Sequence, residues 1–480
     1  MRDSHQNVLD DDRVGRLLIK LSIPAFFGMF VMTLYNVVDT IFIGRYVGPL
    51  GIAGLSIVFP LQMLSMGVGA MFGMGGASLI SRLLGANNIS RAEHALGNSL
   101  TPVLLLSTII MVAGLANPDF WLRLMGASET ILPYARDYMT IILIGMFFQT
   151  AGMSISSLIR AEGNAIVPMI GMIMGAVLNI ILDAIFIIPL DMGIKGAALA
   201  TVIAQVISVG YFLRYYLSGK SYLKIHPRNL ILKLDILKDI LAIGIASFAR
   251  TIATSLTAVF VNRLLISYGG DLAISAFGIV NRIMMFAMMP AMIFAQGMQP
   301  ILGYNYGAKR FDRALKIIKI TAIISTITSS IVFLVLYFSP EPFMRIFTTD
   351  TELVTLGSYA AKRVFLVLYL LGFTMVASLV FQSLGQAAKS FITSIGRSFV
   401  FLVPFIFVLP QFMGLEGIFL AYPIADVLAF LLALILVIPT IKALRKAEKQ
   451  GNDGLPTPER SDNLKPRNFE DWTEVTPDAD

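Results

Sequence analysis

The chain has 480 residues, 56% of them hydrophobic and only 14% charged, where an ordinary soluble domain carries roughly a quarter charged residues, so a soluble globule is excluded. The 37 basic against 30 acidic residues leave a net charge of +7, a surplus that basic loops of a membrane protein explain without any nucleic-acid partner. Cysteine is absent, which excludes disulfides and thiolate chemistry, and the three histidines (His5, His94 and His226) fall on the N-terminal arm and in polar connections, which excludes a buried His metal site.

Residues 1–16 form a polar arm containing the acidic run Asp10, Asp11 and Asp12. The apolar stretch that follows is too long for a signal core and lacks a small-x-small cleavage site, so it is expected to stay as the first membrane helix. Apolar runs of 18 residues or more then recur along the chain, each able to cross the roughly 30 Å hydrocarbon core. Twelve helices are predicted, centred near residues 30, 66, 106, 143, 177, 205, 252, 288, 326, 370, 400 and 427. Pro24, inside the first, should kink it and act as a hinge. Six helices over 17–217 make a first lobe and six over 237–443 a second, with a basic connection at 218–236 between them. The tail, 444–480, is polar and Pro-containing, reads as solvated and disordered, and is assigned no chemistry.

The connections alternate in charge. One set holds Arg82 and Arg91, then Arg160, then Arg214, Lys220, Lys224, Arg228, Lys233 and Lys238, then Lys309, Arg310, Arg313, Lys316 and Lys319, and finally Lys389. The other set is poor in Lys and Arg. The positive-inside rule places the first set and both termini in the cytoplasm, as an even helix count also requires. The expected location is the plasma (inner) membrane.

A shift of 222 residues brings 46–92 onto 268–314 without a gap: Tyr46 meets Tyr268, Gly48 meets Gly270, Gly75 meets Gly297, Gly85-Ala86 meets Gly307-Ala308 and Arg91-Ala92 meets Arg313-Ala314. Gly163 meets Gly385 at the same shift, and Met192-Gly193 meets Met413-Gly414 at 221. Each half has an even number of spans, so both halves enter the membrane in the same direction. The predicted fold is therefore an all-α integral membrane protein of twelve transmembrane helices, in two pseudo-symmetric six-helix bundles related by an axis along the membrane normal. Such parallel repeats place a site at their interface and alternate its access by rocking.

Ionisable groups inside spans are costly and are functional hypotheses by default. Asp39 in the first helix and Asp183 in the fifth each follow an Asn on the same helix face, Asn36 and Asn179. Both aspartates lie late in outward-running spans, and Thr201 lies early in the inward-running sixth, so at 1.5 Å per residue all five reach a common level. They form the candidate cation-coupling cluster. The repeat partners of Asn36, Asp39 and Asp183 are Ala258, Val261 and Pro404, so the second half has no acidic copy. Its own intramembrane polar residues, among them Arg250, Asn262, Arg263, Asn281, Arg282, Gln296, Gln299 and Asp426, are expected to be structural or interfacial, with Asp426 paired to an Arg. The second and eighth helices are rich in methionine, a flexible residue over-used at promiscuous surfaces. Tyr35, Gln62, Met66, Gln149, Met172, Met288, Met292 and Gln296 are the candidate lining of a cavity between the halves.

In this order and spacing, Leu21-Ser22-Ile23-Pro24, Tyr35-Asn36-Val37-Val38-Asp39, Arg160-Ala161-Glu162-Gly163-Asn164, Asn179 to Asp183 and Gly196-Ala197-Ala198-Leu199-Ala200-Thr201 resemble the multidrug and toxic compound extrusion (MATE) family. The resemblance covers about residues 14–443 and is nearest the bacterial MepA-like and DinF-like branches. It implies export of small organic, often cationic, compounds from the bilayer-embedded cavity, driven by H⁺ or Na⁺, with Asp39, Asp183, Asn36, Asn179 and Thr201 matching the family's coupling pattern. No cofactor beyond the coupling ion is expected, and a monomer suffices. The rivals are a flippase for a lipid-linked precursor, which would need a basic cavity that the first-half spans hardly offer, and a membrane enzyme, for which no His pair or Ser/Lys dyad is present.

Overall fold

Within lipid the backbone finds no water to bond, so an apolar chain must satisfy its own amides in helices. The computed structural model describes residues 8–11 and 13–452, apart from the side chains of Asn36, Val37, Thr40, Pro49 and Asn452, and contains no strand among them. A short 3₁₀ turn (Val8–Asp10) precedes the first lobe: α1 (Val14–Tyr46), α2 (Pro49–Gly85), α3 (Ile89–Ala116), the short α4 (Pro118–Leu124), α5 (Leu132–Ala161), α6 (Ile166–Ile187) and α7 (Gly193–Leu217). A connection with a 3₁₀ turn (Pro227–Leu230) leads into the second lobe: α8 (Leu234–Gly307), α9 (Phe311–Phe338), the short α10 (Pro340–Arg345), α11 (Thr351–Val364), α12 (Tyr369–Ser383), α13 (Ala387–Ile395), a π-helical stretch (Gly396–Leu402), α14 (Val403–Val408), α15 (Pro410–Met413) and α16 (Leu415–Asn452).

Ten of these stretches are long and apolar enough to cross a membrane, and α11 with α12, bent by 54°, makes an eleventh. The 74-residue α8 supplies one more: its backbone leaves helical geometry at Gly270 (φ 63°), where two spans join end to end. Twelve spans result, as the apolar runs require. Helix α1 runs unbroken through Pro24. Residues 444–452, expected in the tail, instead prolong α16, because Lys442, Arg445 and Lys446 are good helix formers continuing an established helix; the rest of that tail, 453–480, lies outside the described residues, as does Asp12 of the N-terminal acidic run.

The repeat is written into the backbone. Left-handed φ values occur at Gly48 and Gly270, Asn87 and Lys309, Gly163 and Gly385, and Gly193 and Gly414, each pair separated by the sequence shift of 222 or 221. The contacts between lobes are reciprocal in the same way. Gly85 abuts the carbonyl of Tyr304 and Gly307 abuts that of Arg82; Gly75 abuts Gly244 and Gly297 abuts Ser22. Adding 222 to one member of each pair generates the other, as a two-fold axis demands. These glycines, with Ser78 Oγ donating to the carbonyl of Gln382, close the lobes together at the face where the described residues begin and end, the termini face.

The lobes also exchange their first turns. Val14, Leu17, Leu18 and Leu21 of α1 are buried with Ala295, Met298, Ile301, Ile317 and Val380 of the second lobe. Their repeat partners at the start of α8, Ile236 and Ile240, are buried with Leu96, Leu100, Leu158 and Tyr216 of the first. Beyond Pro24, α1 returns to its own lobe, where Gly28 packs on Met169 and Met172 of α6. Leu9 is buried beneath Gly163 of the first lobe, while Asp10 pairs with Arg310 and Arg313 of the second.

Candidate functional site

The first-lobe acids come together as their depths predict. Asp183 is fully buried. With its amide turned so that donors meet acceptors, Asn179 donates to Asp183 Oδ2 at 3.3 Å and accepts from the Thr201 hydroxyl at 3.2 Å, an orientation fixed by the surrounding bonds. The carbonyl of Ala197, one turn earlier and 3.0 Å away, is the alternative acceptor for that single hydroxyl proton. Asp183 and Asp39 lie within each other's electrostatic field. One oxygen of each, Oδ1 in both cases, is buried and has no hydrogen-bond partner among the described residues. The side chain of Asn36 lies outside the described residues.

Two carboxylates whose Oδ1 atoms are buried and unbonded, with no basic partner among the described residues, are short of positive charge. A proton or a small metal cation would supply it, since an isolated buried carboxylate is too costly to leave ionised. Among the described residues no three acid or histidine side chains group as a multivalent metal site would need.

Sequence reasoning missed Tyr138. Its ring is buried in α5, it accepts a hydrogen bond from Gln62 Nε2 at 3.3 Å, and it feels Asp39, Tyr35 and Asp183 electrostatically. The signal was its place near the outer end of a span, level with the acids, where a phenol needs a polar partner.

The cavity residues divide. Tyr35 and Gln62 belong with the acids through Tyr138. Met66 and Gln149 are half-buried on α2 and α5. Gln296 lies between the lobes, its Nε2 4.0 Å from Met29 Sδ. Met292 is exposed. Met172 packs within the first lobe against Gly28, and Met288 packs on the second-lobe core around Phe277 and Phe365. Those two are therefore packing residues first, because each has a partner inside its own lobe.

Arg160 is the main correction. Counted among basic loop residues, it occupies the last turn of α5, a helix of 30 residues and hence about 45 Å. There it points between the lobes into two small adjoining cavities lined by Met74, Gln296, Gln299 and Pro300. Its Nη2 donates to Ser157 Oγ at 2.9 Å. Serines at i−3 and i−4 were the sequence signal that this arginine faces the same way as polar groups of its own helix.

In the second lobe, Val261, the counterpart of Asp39, is buried in the apolar core. Asp426 pairs with Arg397, which the π-helical turn brings to α16. Asn262, Arg263, Asn281 and Arg282 are exposed.

Comparison with known proteins agrees with this layout. The MatE family model matches residues 24–185 and 243–408, one segment in each lobe. The multidrug export protein MepA of Staphylococcus haemolyticus is 28% identical over 437 residues, covering 91% of this chain and 96% of its own. MepA of Staphylococcus aureus strain MSSA476 is 26% identical over the same span. Among solved structures, the multidrug transporter DinF-BH in complex with rhodamine 6G superposes with a TM-score of 0.84 at 42% identity, covering 92% of this chain and 98% of that one. A multidrug resistance transporter in an outward-facing conformation gives 0.86 at 27% identity over 92% and 99%.

Proposed function

We propose, from the premise that this chain belongs to the MatE (MATE) family of multidrug transporters, that it exports small organic compounds by antiport against H⁺ or Na⁺ with alternating access. One observation carries the coupling: Asp183 and Asp39 share one buried polar cluster in one lobe, each with an unsatisfied oxygen. A cation arriving at these oxygens neutralises the pair, and its departure restores a charge that a cationic substrate can oppose. Each ligand thus favours a different arrangement of α1, which carries Asp39 and passes through Pro24 between its two lobes' contacts. Closure of the lobes on the termini face fits the outward-facing member of the cycle. We place that face in the cytoplasm of a bacterial plasma membrane, with the monomer as the working unit.

The test is efflux of rhodamine 6G from loaded vesicles under separately imposed proton and sodium gradients. One gradient should drive export, and Asp183→Asn should reduce it to background while the protein remains in the membrane. Indifference to both gradients, or full efflux by the variant, refutes coupling at this cluster. The flippase reading is not favoured, since the named relatives are multidrug exporters.

A further inference from the structure

The connection between the lobes runs along α3 and is held there by its backbone. Asn98 is fully buried. Its Nδ2 shares two protons among the carbonyls of His94, Asn229 and Ile231 at 2.9, 3.3 and 3.1 Å, and its Oδ1 accepts from the Lys233 amide at 2.6 Å. Thr101 Oγ1 donates to the Leu230 carbonyl at 2.9 Å, and Gly97 leaves room for the carbonyl of Asn229, which a Cβ there would strike. Thr101 stands 12 residues after Ile89, where α3 starts, about 18 Å along its axis. The next residues on its face, Leu104 and Leu105, are exposed apolar side chains of a membrane span. The clamp takes the backbone of the connection and leaves its side chains outward. Ile231 is 67% and Leu234 72% exposed, and Leu230 and Leu232 are exposed with them. Four neighbouring apolar residues would be a liability in water; beside Leu104 and Leu105 they meet the bilayer.

The repeat supplies a comparison. At the shift of 222, Val8-Leu9-Asp10-Asp11-Asp12 meets Leu230-Ile231-Leu232-Lys233-Leu234. Leu9 is wholly buried beneath Gly163, and Asp10 pairs with Arg310 and Arg313, so the first copy of this segment docks on protein. The second copy holds none of the three acids. It carries Lys233 instead, with Arg228 and Lys238 on either side. These three basic side chains are exposed and form no ion pair among the described residues, since the nearby acids Asp235 and Asp239 are met by Arg91 at 3.2 and 3.6 Å. We infer that residues 228–238 form an interfacial foot that binds phospholipids with anionic headgroups. The apolar side chains of 230–234 enter the headgroup–acyl boundary, and Arg228, Lys233 and Lys238 meet the negative headgroups above it. The same position in the repeat thus serves as a protein contact in one copy and a lipid contact in the other, with the charge inverted to suit.

The chain has no native cysteine, so Ile231→Cys takes a bimane fluorophore at one site of the full-length protein in phosphatidylcholine nanodiscs. Spin-labelled phosphatidylglycerol or spin-labelled phosphatidylcholine, added at the same mole fraction, quenches the fluorophore where the foot lies in the bilayer, and the ratio of the two quenching constants reads the headgroup preference. Both lipids should quench, the anionic one more strongly. A basic residue at an anionic surface changes association by about 5-fold. Arg228→Gln, Lys233→Gln and Lys238→Gln should therefore each lower the ratio by up to about 5-fold, and the effect should shrink at high salt. Lys316→Gln, exposed on α9 of the other lobe, should leave the ratio unchanged. Absence of quenching by either lipid overturns the foot. Equal quenching by the two lipids in the parent, or a ratio that none of the three substitutions moves, overturns the anionic site and leaves an apolar contact only. An equal fall in Lys316→Gln makes the effect one of net charge and overturns a local site.

Discussion

The reciprocal glycines allow the closure of the termini face to be tested by the addition of single methyl groups. A Cβ built on Gly307 would collide with the carbonyl of Arg82, and one on Gly85 with that of Tyr304. Both obstacles are backbone atoms of helices, which cannot rotate away as a side chain would. Overpacking of this kind costs about 1–3 kcal/mol. The intrinsic gain of about 1 kcal/mol for Ala over Gly in a helix is the same whether the lobes are closed or parted, so it drops out of that equilibrium. Gly307→Ala should therefore shift the population away from the closed termini face by about 5- to 140-fold. Gly85→Ala should do the same, and the pair should fall short of additivity because the first displacement relieves the second clash. The chain has no native cysteine, so Ser90→Cys and Asp312→Cys, exposed repeat-related positions at the starts of α3 and α9, accept spin labels with no background. Pulsed electron resonance should show the short distance losing weight to a longer one. Gly210→Ala is the control, because nothing lies within 4 Å of its would-be Cβ. An unchanged distance distribution in both glycine variants would refute the claim that these contacts hold the face shut.

Other expectations follow from particular groups. Burial pushes the carboxyl of Glu162, just past the end of α5, up to about 7, despite bonds from Ser221 Oγ at 2.7 Å and the Tyr222 amide at 3.0 Å. The folded state then holds this proton more tightly than the unfolded chain, so its stability falls as pH rises from about 4.5 to about 7, by ~3 kcal/mol. Melting temperatures should decline across that window, and Glu162→Gln should flatten the slope; a parallel slope in the variant would exclude Glu162 as its source. Asp426 is 2% exposed and pairs with Arg397, so Asp426→Asn should cost about 3–5 kcal/mol by stranding the guanidinium. A joint replacement of both by methionine should recover most of that loss in a thermal melt. Asp39→Asn should abolish gradient-driven efflux as Asp183→Asn does, yet leave the melting temperature within a few degrees, since its Oδ1 has no hydrogen-bond partner among the described residues.

Much of this was legible because membrane helices are dictated by local composition. The apolar runs located the spans, and the register of glycines located the repeat; both reappear as paired left-handed residues. The acids were legible because charge in lipid is rare, and helical rise alone set Asp183, Asn179 and Thr201 at one depth. What escaped depends on the azimuth of side chains around the helices. Nothing local tells that Arg160 turns to the cleft and not to water, or that Met172 and Met288 turn into their own lobes. The merging of two spans in α8 and the π-helical turn at Arg397 are likewise set by tertiary contacts. Tyr138 was hidden for a related reason, because its partners come from α1, α2 and α6.

The crossing of the first turns of α1 and α8 has a consequence for what counts as a half of this molecule. Cut at the connection between Leu217 and Leu234, each fragment would begin with a segment whose apolar face packs largely on the other fragment. Two such pieces, made separately in one cell, should find each other as an intertwined heterodimer and not fold as independent bundles. The single chain resembles a swapped dimer joined end to end: an ancestor of one bundle that lent its leading arm to its twin would, after fusion of two gene copies, leave this arrangement.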